Sequence, residues 1–199
     1  MNRTLLALLG VLLFGAAAAQ TPEPTVRLRG TLERVEPTSL VLKDRAGRRV
    51  SVSYGNDLGI TEVLPIDPAA VQSGAFVGTT AVPGPNGSLS AVEVHVFAEA
   101  ARGRGEGHRP WDLQPGSTMT NATVTAVEPR ANDRAITLRY KDGEKTIHVP
   151  NGVPIVTMKV GDKSLLVPGA KIIVTEQLRN GQPVAARVSV GRNGFEPPM

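Results

Sequence analysis

The sequence predicts an all-β protein built from two tandem five-stranded OB-like small barrels, and three observations support this class. First, 16 prolines and 21 glycines separate short runs of β-branched and aliphatic residues, as in strands joined by turns. Second, helical periodicity is nearly absent. Third, the pattern of residues 30–96 recurs in residues 122–190, including the shared tripeptide Val-Glu-Pro at Val35–Pro37 and Val127–Pro129.

Each half of the repeat is predicted to contain about five strands. Residues 26–33 alternate between apolar and polar side chains, as a strand with one buried face does. The pairs Asn86-Gly87 and Asn180-Gly181 predict tight turns between the last two strands of each half. Longer connections that contain proline or glycine are predicted at 56–73 and 150–168. Five strands with one longer connection favour a small barrel of the OB type, and a flat meander is the alternative.

The chain is predicted to have five parts. Residues 1–19 are interpreted as a signal peptide, because Arg3 precedes a short apolar run and small residues follow at a cleavage position. The central glycines of the two halves, Gly74 and Gly169, are predicted to occupy equivalent backbone positions. The remaining parts are barrel module 1 at 26–97, a linker at 98–119, barrel module 2 at 120–191 and a C-terminal tail at 192–199.

Composition limits the possible function classes. The chain has no cysteine, which excludes disulfides, thiol catalysis and cysteine-ligated metal centres. After the signal peptide, no stretch approaches the ~18 apolar residues of a membrane helix, so we expect an exported periplasmic or cell-envelope protein without a membrane span. Residues 121–199 carry a net charge of +4 and residues 20–100 one of −2. This asymmetry either favours an acidic partner or is an ordinary solvated surface.

Segments spread over nearly the whole mature chain carry a family resemblance. They are the paired Val-Glu-Pro openings, Arg109–Val124, Leu138–Pro150, Leu165–Val174 and Val190–Met199. In these segments the chain resembles exported bacterial proteins of the domain-of-unknown-function family 5666. The resemblance implies OB-like barrels and export, and it assigns no catalytic residue.

The linker contains the candidate binding residues. His108, Arg109, Trp111 and Asp112 follow a glycine-rich stretch, and Trp111 is the single tryptophan of the chain. One hypothesis is a recognition patch, in which Trp111 stacks on a sugar or peptide, Arg109 pairs with a carboxylate or phosphate, and Asp112 orients Arg109. The alternative is that Trp111 packs between the barrels, while Arg109 and Asp112 form a local ion pair.

These patterns predict a non-catalytic binding or scaffold protein without a cofactor. Its partner is expected to be an envelope protein or glycan, bound on a barrel face or in the cleft between the barrels. A metal-associated protein using His108 is the alternative, although His95 and His148 are interpreted as outward-facing strand residues. An envelope hydrolase would need carboxylates from distant positions. Nucleic acid is not expected, because aromatic residues make up only 4% of the chain.

Overall fold

The structure is a computed structural model and describes residues 25–198, which form twelve strands and no α-helix. The all-β class predicted from the sequence is confirmed. The predicted signal peptide, residues 1–19, lies outside the described residues. The strands are β1 (Val26–Val35), β2 (Ser39–Asp44), β3 (Arg49–Pro65), β4 (Phe76–Pro83), β5 (Leu89–Val96), β6 (Gly107–Pro110), β7 (Thr118–Pro129), β8 (Asp133–Tyr140), β9 (Gly143–Pro150), β10 (Ile155–Val160), β11 (Lys171–Arg179) and β12 (Gln182–Gly191).

Five of these strands close into a ring, which we call the first barrel. β2 pairs with both β1 and β3 in antiparallel register, and β11 pairs in the same way with both β1 and β12. β12 then runs parallel to β3, with Val188 opposite Ile60, and this pairing closes the ring. The first barrel therefore takes three strands from the first half of the chain and two from the second.

β4, β5, β7, β8 and β9 form a second strand set with the corresponding order. β8 pairs with β7 and β9, and β4 pairs with β5 and β7, all in antiparallel register. The two ends of the set, β5 and β9, meet at one residue pair, Ser90 and His148. This set takes two strands from the first half and three from the second, so the two halves of the chain exchange their last two strands.

β3 and β10 carry the chain across between the two groups. β3 is 17 residues long, and its end pairs in antiparallel register with β10, with Val63 opposite Met158. Val63 and Met158 are as far apart in the chain as Gly74 and Gly169, so they are equivalent positions of the two repeats. Because these equivalent residues lie opposite each other in an antiparallel pair, a pseudo-twofold axis that relates the two repeats passes between them.

This pairing differs from the tandem arrangement that the sequence predicts, because the boundaries 26–97 and 120–191 each enclose strands of both groups. The predicted connections at 56–73 and 150–168 also contain the end of β3 and all of β10. The alternation of apolar and polar residues in the sequence is weak where β3 pairs with β10, because side chains of both kinds are buried there. Val63 is completely buried, and the neighbouring Glu62 is 5% exposed.

The hydrophobic cores reflect the exchange, since each contains side chains from both halves of the chain. Burying one such aliphatic side chain contributes about 1.5–3 kcal/mol, so each half depends on the other for much of its stability. In the first barrel, Leu32 and Leu40 belong to the same core as Ile172 and Val188. In the second strand set, Val77 and Val94 belong to the same core as Ile136 and Leu138.

Gly74 and Gly169 occupy equivalent positions, as the repeat predicts. Their φ angles are +86° and +88°, in the region that glycine adopts most readily. The Gly74 N–H donates to the Val124 carbonyl and the Gly169 N–H donates to the Leu32 carbonyl, each at 2.8 Å. Both bonds join one half of the chain to the other, so these turns are part of the exchange.

The predicted linker, 98–119, is ordered against the second strand set. β6 pairs with β7, with Arg109 opposite Met119. The Asn121 side chain donates from Nδ2 to the Arg104 carbonyl at 3.1 Å. The linker therefore extends the sheet along one edge of β7, at residues 118–121. The described part of the predicted tail, 192–198, is also attached to the first barrel, because Arg45 donates to Glu196 at 2.8 Å.

We expect the two halves to stay associated after the linker is cut. A protease recognition sequence inserted between Gly103 and Arg104 lies in an exposed turn, where a Cβ on Gly103 would meet nothing within 4 Å. After cleavage, both fragments should elute together in native gel filtration and separate only in denaturant, because each strand group uses strands from both. The uncut insertion variant is the control, and fragments that separate without denaturant would contradict the exchange.

Candidate functional site

A cleft of about 480 Å³ lies where the first barrel, the second strand set and the linker meet. The first barrel contributes outward-facing residues of β1, β3, β11 and β12, and the second strand set contributes residues of β5 and β7. β10 also lines the cleft, through Met158, Lys159 and Val160. The linker contributes Arg109 and Trp111, two of the three binding residues predicted from the sequence.

Trp111 joins the two strand groups. Its half-buried ring packs with Met119 of β7, Met158 of β10 and Ile173 of β11. The Arg27 guanidinium carbon lies 4.0 Å from the ring centroid, in a cation–π arrangement. These contacts are the ones that the packing hypothesis for Trp111 predicts, and Arg27 lies over the ring.

Asp112 does not pair with Arg109, in contrast to the local ion pair considered from the sequence. It pairs with two arginines of β1, Arg27 at 3.5 Å and Arg29 at 3.1 Å. Partial burial raises the pKa of Asp112, but the hydrogen bond from Arg29 and the charges of both arginines bring it below its usual value. Asp112 thus ties the linker to β1, while Arg109 donates from Nη1 to the Gly105 carbonyl at 2.8 Å.

Every charged residue within 25–198 that lines the cleft is basic. Among the described arginines, four make no ion pair, and all but Arg134 line the cleft. Burial lowers the pKa of Arg109, and the positive charge of Arg27 lowers it further. The basic lining residues are Arg27, Arg104, Arg109, Lys159 and Arg187.

The carboxyl group of Glu93 on β5 is completely buried. Burial raises its pKa to about 8, although the Thr80 N–H and hydroxyl donate to Oε1 at 3.2 and 3.0 Å. The group is therefore predominantly protonated at neutral pH.

His95 lies on the face of β5 opposite Val94, as the sequence predicts, but that face is covered rather than exposed to solvent. His95 lines the cleft, is 6% exposed, and its ring centroid lies 3.9 Å from that of Phe97. Burial lowers its pKa to about 4, so the imidazole is neutral at pH 7.

Three buried side-chain atoms of the described residues have no hydrogen-bond partner: Glu93 Oε2, Trp111 Nε1 and Asn121 Oδ1. Glu93 and Asn121 lie on β5 and β7, and Trp111 follows β6 in the linker that pairs with β7. Leaving a buried polar atom unpaired costs about 1–3 kcal/mol.

The described residues supply no ligand set for the metal alternative. His108 Nδ1 lies 2.8 Å from the Thr120 hydroxyl, and burial together with the charge of Lys145 lowers its pKa. His148 Nδ1 lies 3.0 Å from Asp133. Within residues 25–198, no three histidine, aspartate or glutamate side chains are grouped so that they could hold a metal ion.

The hydrolase alternative would need two carboxylates with raised pKa values in one cleft. Burial raises the pKa of Glu93 and of Glu176, but neither residue lines the cleft. The cleft thus offers positive charge and hydrogen-bonding groups, rather than an acid–base pair.

Sequence reasoning found the linker residues of this site but not those from the strands. Arg27, Lys159 and Arg187 are far apart in the chain and follow no motif. Lys159 and Arg187 come together because β10 and β12 both pair with β3, and Arg27 joins them because β11 pairs with both β1 and β12. No local signal could therefore identify these three residues.

Comparison with known proteins found no match to any family model, curated protein or solved structure. The resemblance to family 5666 therefore stays a prediction. In the described part of the chain, no helix has the length and apolar character needed to cross a bilayer.

We expect Trp111→Ala to lower the free energy of unfolding by about 2–4 kcal/mol, because it leaves a cavity between the two strand groups. Urea unfolding followed by circular dichroism measures the change. Trp111→Phe is the matched control, since it keeps an aromatic ring and removes the unpartnered N–H, and it should cost less than half as much. Equal losses in the two variants, or no loss in either, would contradict the packing role.

The buried carboxyl of Glu93 should make stability depend on pH. Its folded-state pKa of about 8 exceeds the unfolded value of 4.5, so the unfolded state releases this proton at a lower pH than the folded state does. The contribution of Glu93 to stability is therefore complete below pH 4.5 and is lost as the pH rises through 8. Glu93→Gln keeps an acceptor and does not titrate.

When the pH rises from 5 to 8.5, we therefore expect the free energy of unfolding of Glu93→Gln to increase by roughly 2–4 kcal/mol relative to that of wild type. Urea unfolding at both pH values tests this. The comparison with wild type cancels the contribution of His95, which changes mainly between pH 4 and 6.5. A difference between the two proteins that is the same at both pH values would show that Glu93 titrates normally.

Proposed function

We propose that the chain is a non-catalytic exported binding protein whose ligand occupies the cleft between the first barrel and the second strand set. The observation that carries this proposal is the composition of the cleft wall. A volume of about 480 Å³ is within the range of about 300–1,000 Å³ typical of small-molecule sites. Its lining includes arginines without ion-pair partners, which a ligand would neutralise.

The position of the cleft also favours binding over a purely structural role. Ligand sites occur preferentially where domains or strand groups meet. Here Trp111 and Asp112 attach the linker to both groups, and the same linker forms one wall of the cleft. A ligand in the cleft would contact both groups and the linker at once, and it would stabilise the exchanged arrangement.

The finer architecture belongs to the same proposal. The closed first barrel and the corresponding strand order of the second set support the prediction of two OB-like barrels, formed by exchanged rather than consecutive strands. Membership of family 5666, location in the periplasm or cell envelope, and an envelope protein or glycan as partner remain part of this proposal. They rest on the resemblance and on the pattern of residues 1–19.

The proposal is tested by blocking the cleft. Thr175 of β11 is half-buried and lines the cleft, so Thr175→Phe places a ring inside it. Ser51→Phe is the matched control, because Ser51 is exposed on β3 and is not part of the lining.

Immobilised residues 20–199 would be exposed to a bacterial envelope extract, and the retained glycans, small molecules and proteins identified by mass spectrometry. We expect a compound that wild type and Ser51→Phe retain and that folded Thr175→Phe loses at least tenfold. A compound retained equally by all three proteins would place binding outside the cleft. If no compound is retained, the proposed function is wrong.

A further inference from the structure

A second cleft of the described chain does not share this excess of positive charge. This second cleft, of about 560 Å³, lies between the turns at 164–170 and 191–194 of the first barrel. Its one charged lining residue, Arg192, forms an ion pair with Glu62. Cavity size alone therefore does not distinguish the two clefts, whereas uncompensated charge does.

The five basic side chains are arranged in two levels. Arg27 and Arg109 are half-buried and lie on the Trp111 ring, at 4.0 and 5.5 Å from its centroid. Arg104, Lys159 and Arg187 are exposed, so they form the rim of the cleft. This spread suits a ligand that carries several anionic groups along its length, rather than one compact anion.

The remaining polar lining can bind hydroxyl groups. Thr61, Thr175 and Ser189 come from β3, β11 and β12, and each places a hydroxyl side chain in the wall. Side chains that both donate and accept hydrogen bonds complement a polyhydroxylated ligand.

From the charge and the hydroxyl groups together, we propose that the cleft binds an acidic oligosaccharide, a chain of sugar units that carry carboxylate groups. This inference rests on the proposed function and names the ligand class of the same site. Carboxylates pair with Arg109 inside and with Arg104, Lys159 and Arg187 at the rim, whereas Arg27 keeps its ion pair with Asp112. Sugar hydroxyls meet Thr61, Thr175 and Ser189.

The aromatic residues argue against single-stranded nucleic acid as the ligand of this cleft. Bases need free ring faces on which to stack. The Trp111 ring has a guanidinium on it, and the Phe97 ring packs against those of His95 and Phe76, with centroids at 3.9 and 5.1 Å. Charge would remain as the sole attraction for a nucleic acid.

The test is isothermal titration calorimetry of residues 20–199 with tetragalacturonate at 50 mM salt. Its fully methyl-esterified form is the matched probe, because it has the same sugar chain without the charges. Inorganic phosphate and an octamer of deoxythymidine are the other two probes. We expect one tetragalacturonate site, binding of the ester at least tenfold weaker, and a loss of affinity at 300 mM salt, since salt screens charge pairs.

The variants replace residues at the rim of the cleft, because these side chains are exposed and their removal disturbs the packing of the protein less than removal of Arg27 or Arg109 would. Arg104→Ala with Arg187→Ala should weaken tetragalacturonate binding about tenfold or more, as expected for the loss of two charge-assisted contacts. Arg134→Ala is the matched control, because Arg134 also lacks an ion pair but lies outside the cleft, donating to the Pro68 carbonyl at 2.9 Å. It should change the affinity less than twofold.

Equal binding of the ester, absence of tetragalacturonate binding, or an equal effect of Arg134→Ala would overturn the inference. Tighter binding of inorganic phosphate or of the deoxythymidine octamer would also overturn it and assign a different anion. These failures are distinguishable from failure of the proposed function. If Thr175→Phe still abolishes retention of an extract compound while tetragalacturonate does not bind, the cleft is the binding site and only the ligand class is wrong.

Discussion

The antiparallel pairing of β3 with β10 is the interaction on which the rest of the structure depends. Each of these strands leaves one strand group and leads into the other, and they meet at Val63 and Met158 on the pseudo-twofold axis. The flanking parallel pairings, β3 with β12 and β10 with β5, follow from the same crossing. Met158, Lys159 and Val160 of β10 also line the cleft. One strand pair therefore determines both the exchange and the position of the candidate site.

The scaffold is nearly symmetric, but the site is not. Val94 pairs with Ile155 as Val188 pairs with Ile60, so the residues beside them, Glu93 and Arg187, are repeat equivalents. Arg187 is exposed at the cleft rim, whereas Glu93 is completely buried and its pKa is raised. Equivalent backbone positions have thus acquired opposite environments and different chemistry.

Features encoded by a few adjacent residues could be predicted from the sequence. Asn86 and Asn180 have φ angles of +56° and +52°, and the glycine after each has +75°, as expected for the predicted turns. The exchange could not be predicted, because a strand with one apolar face shows the same alternation whichever copy of its partner it meets. For the same reason the sequence located Trp111 and Arg109 in the linker but gave no sign that Arg27 and Arg187 lie near them.

The charges of the cleft are difficult to explain by stability alone. Asp112 offsets Arg27 and Arg29 and holds the linker on β1, which is a sufficient structural reason for those three residues. Arg109 has no such partner among the described residues, and its lowered pKa reflects repulsion by Arg27 as well as burial. Like charges close together destabilise a fold, and the places where a sequence departs from local consistency are commonly functional sites. An anionic ligand would remove this repulsion, so the unfavourable feature of the free protein becomes a source of affinity in the complex.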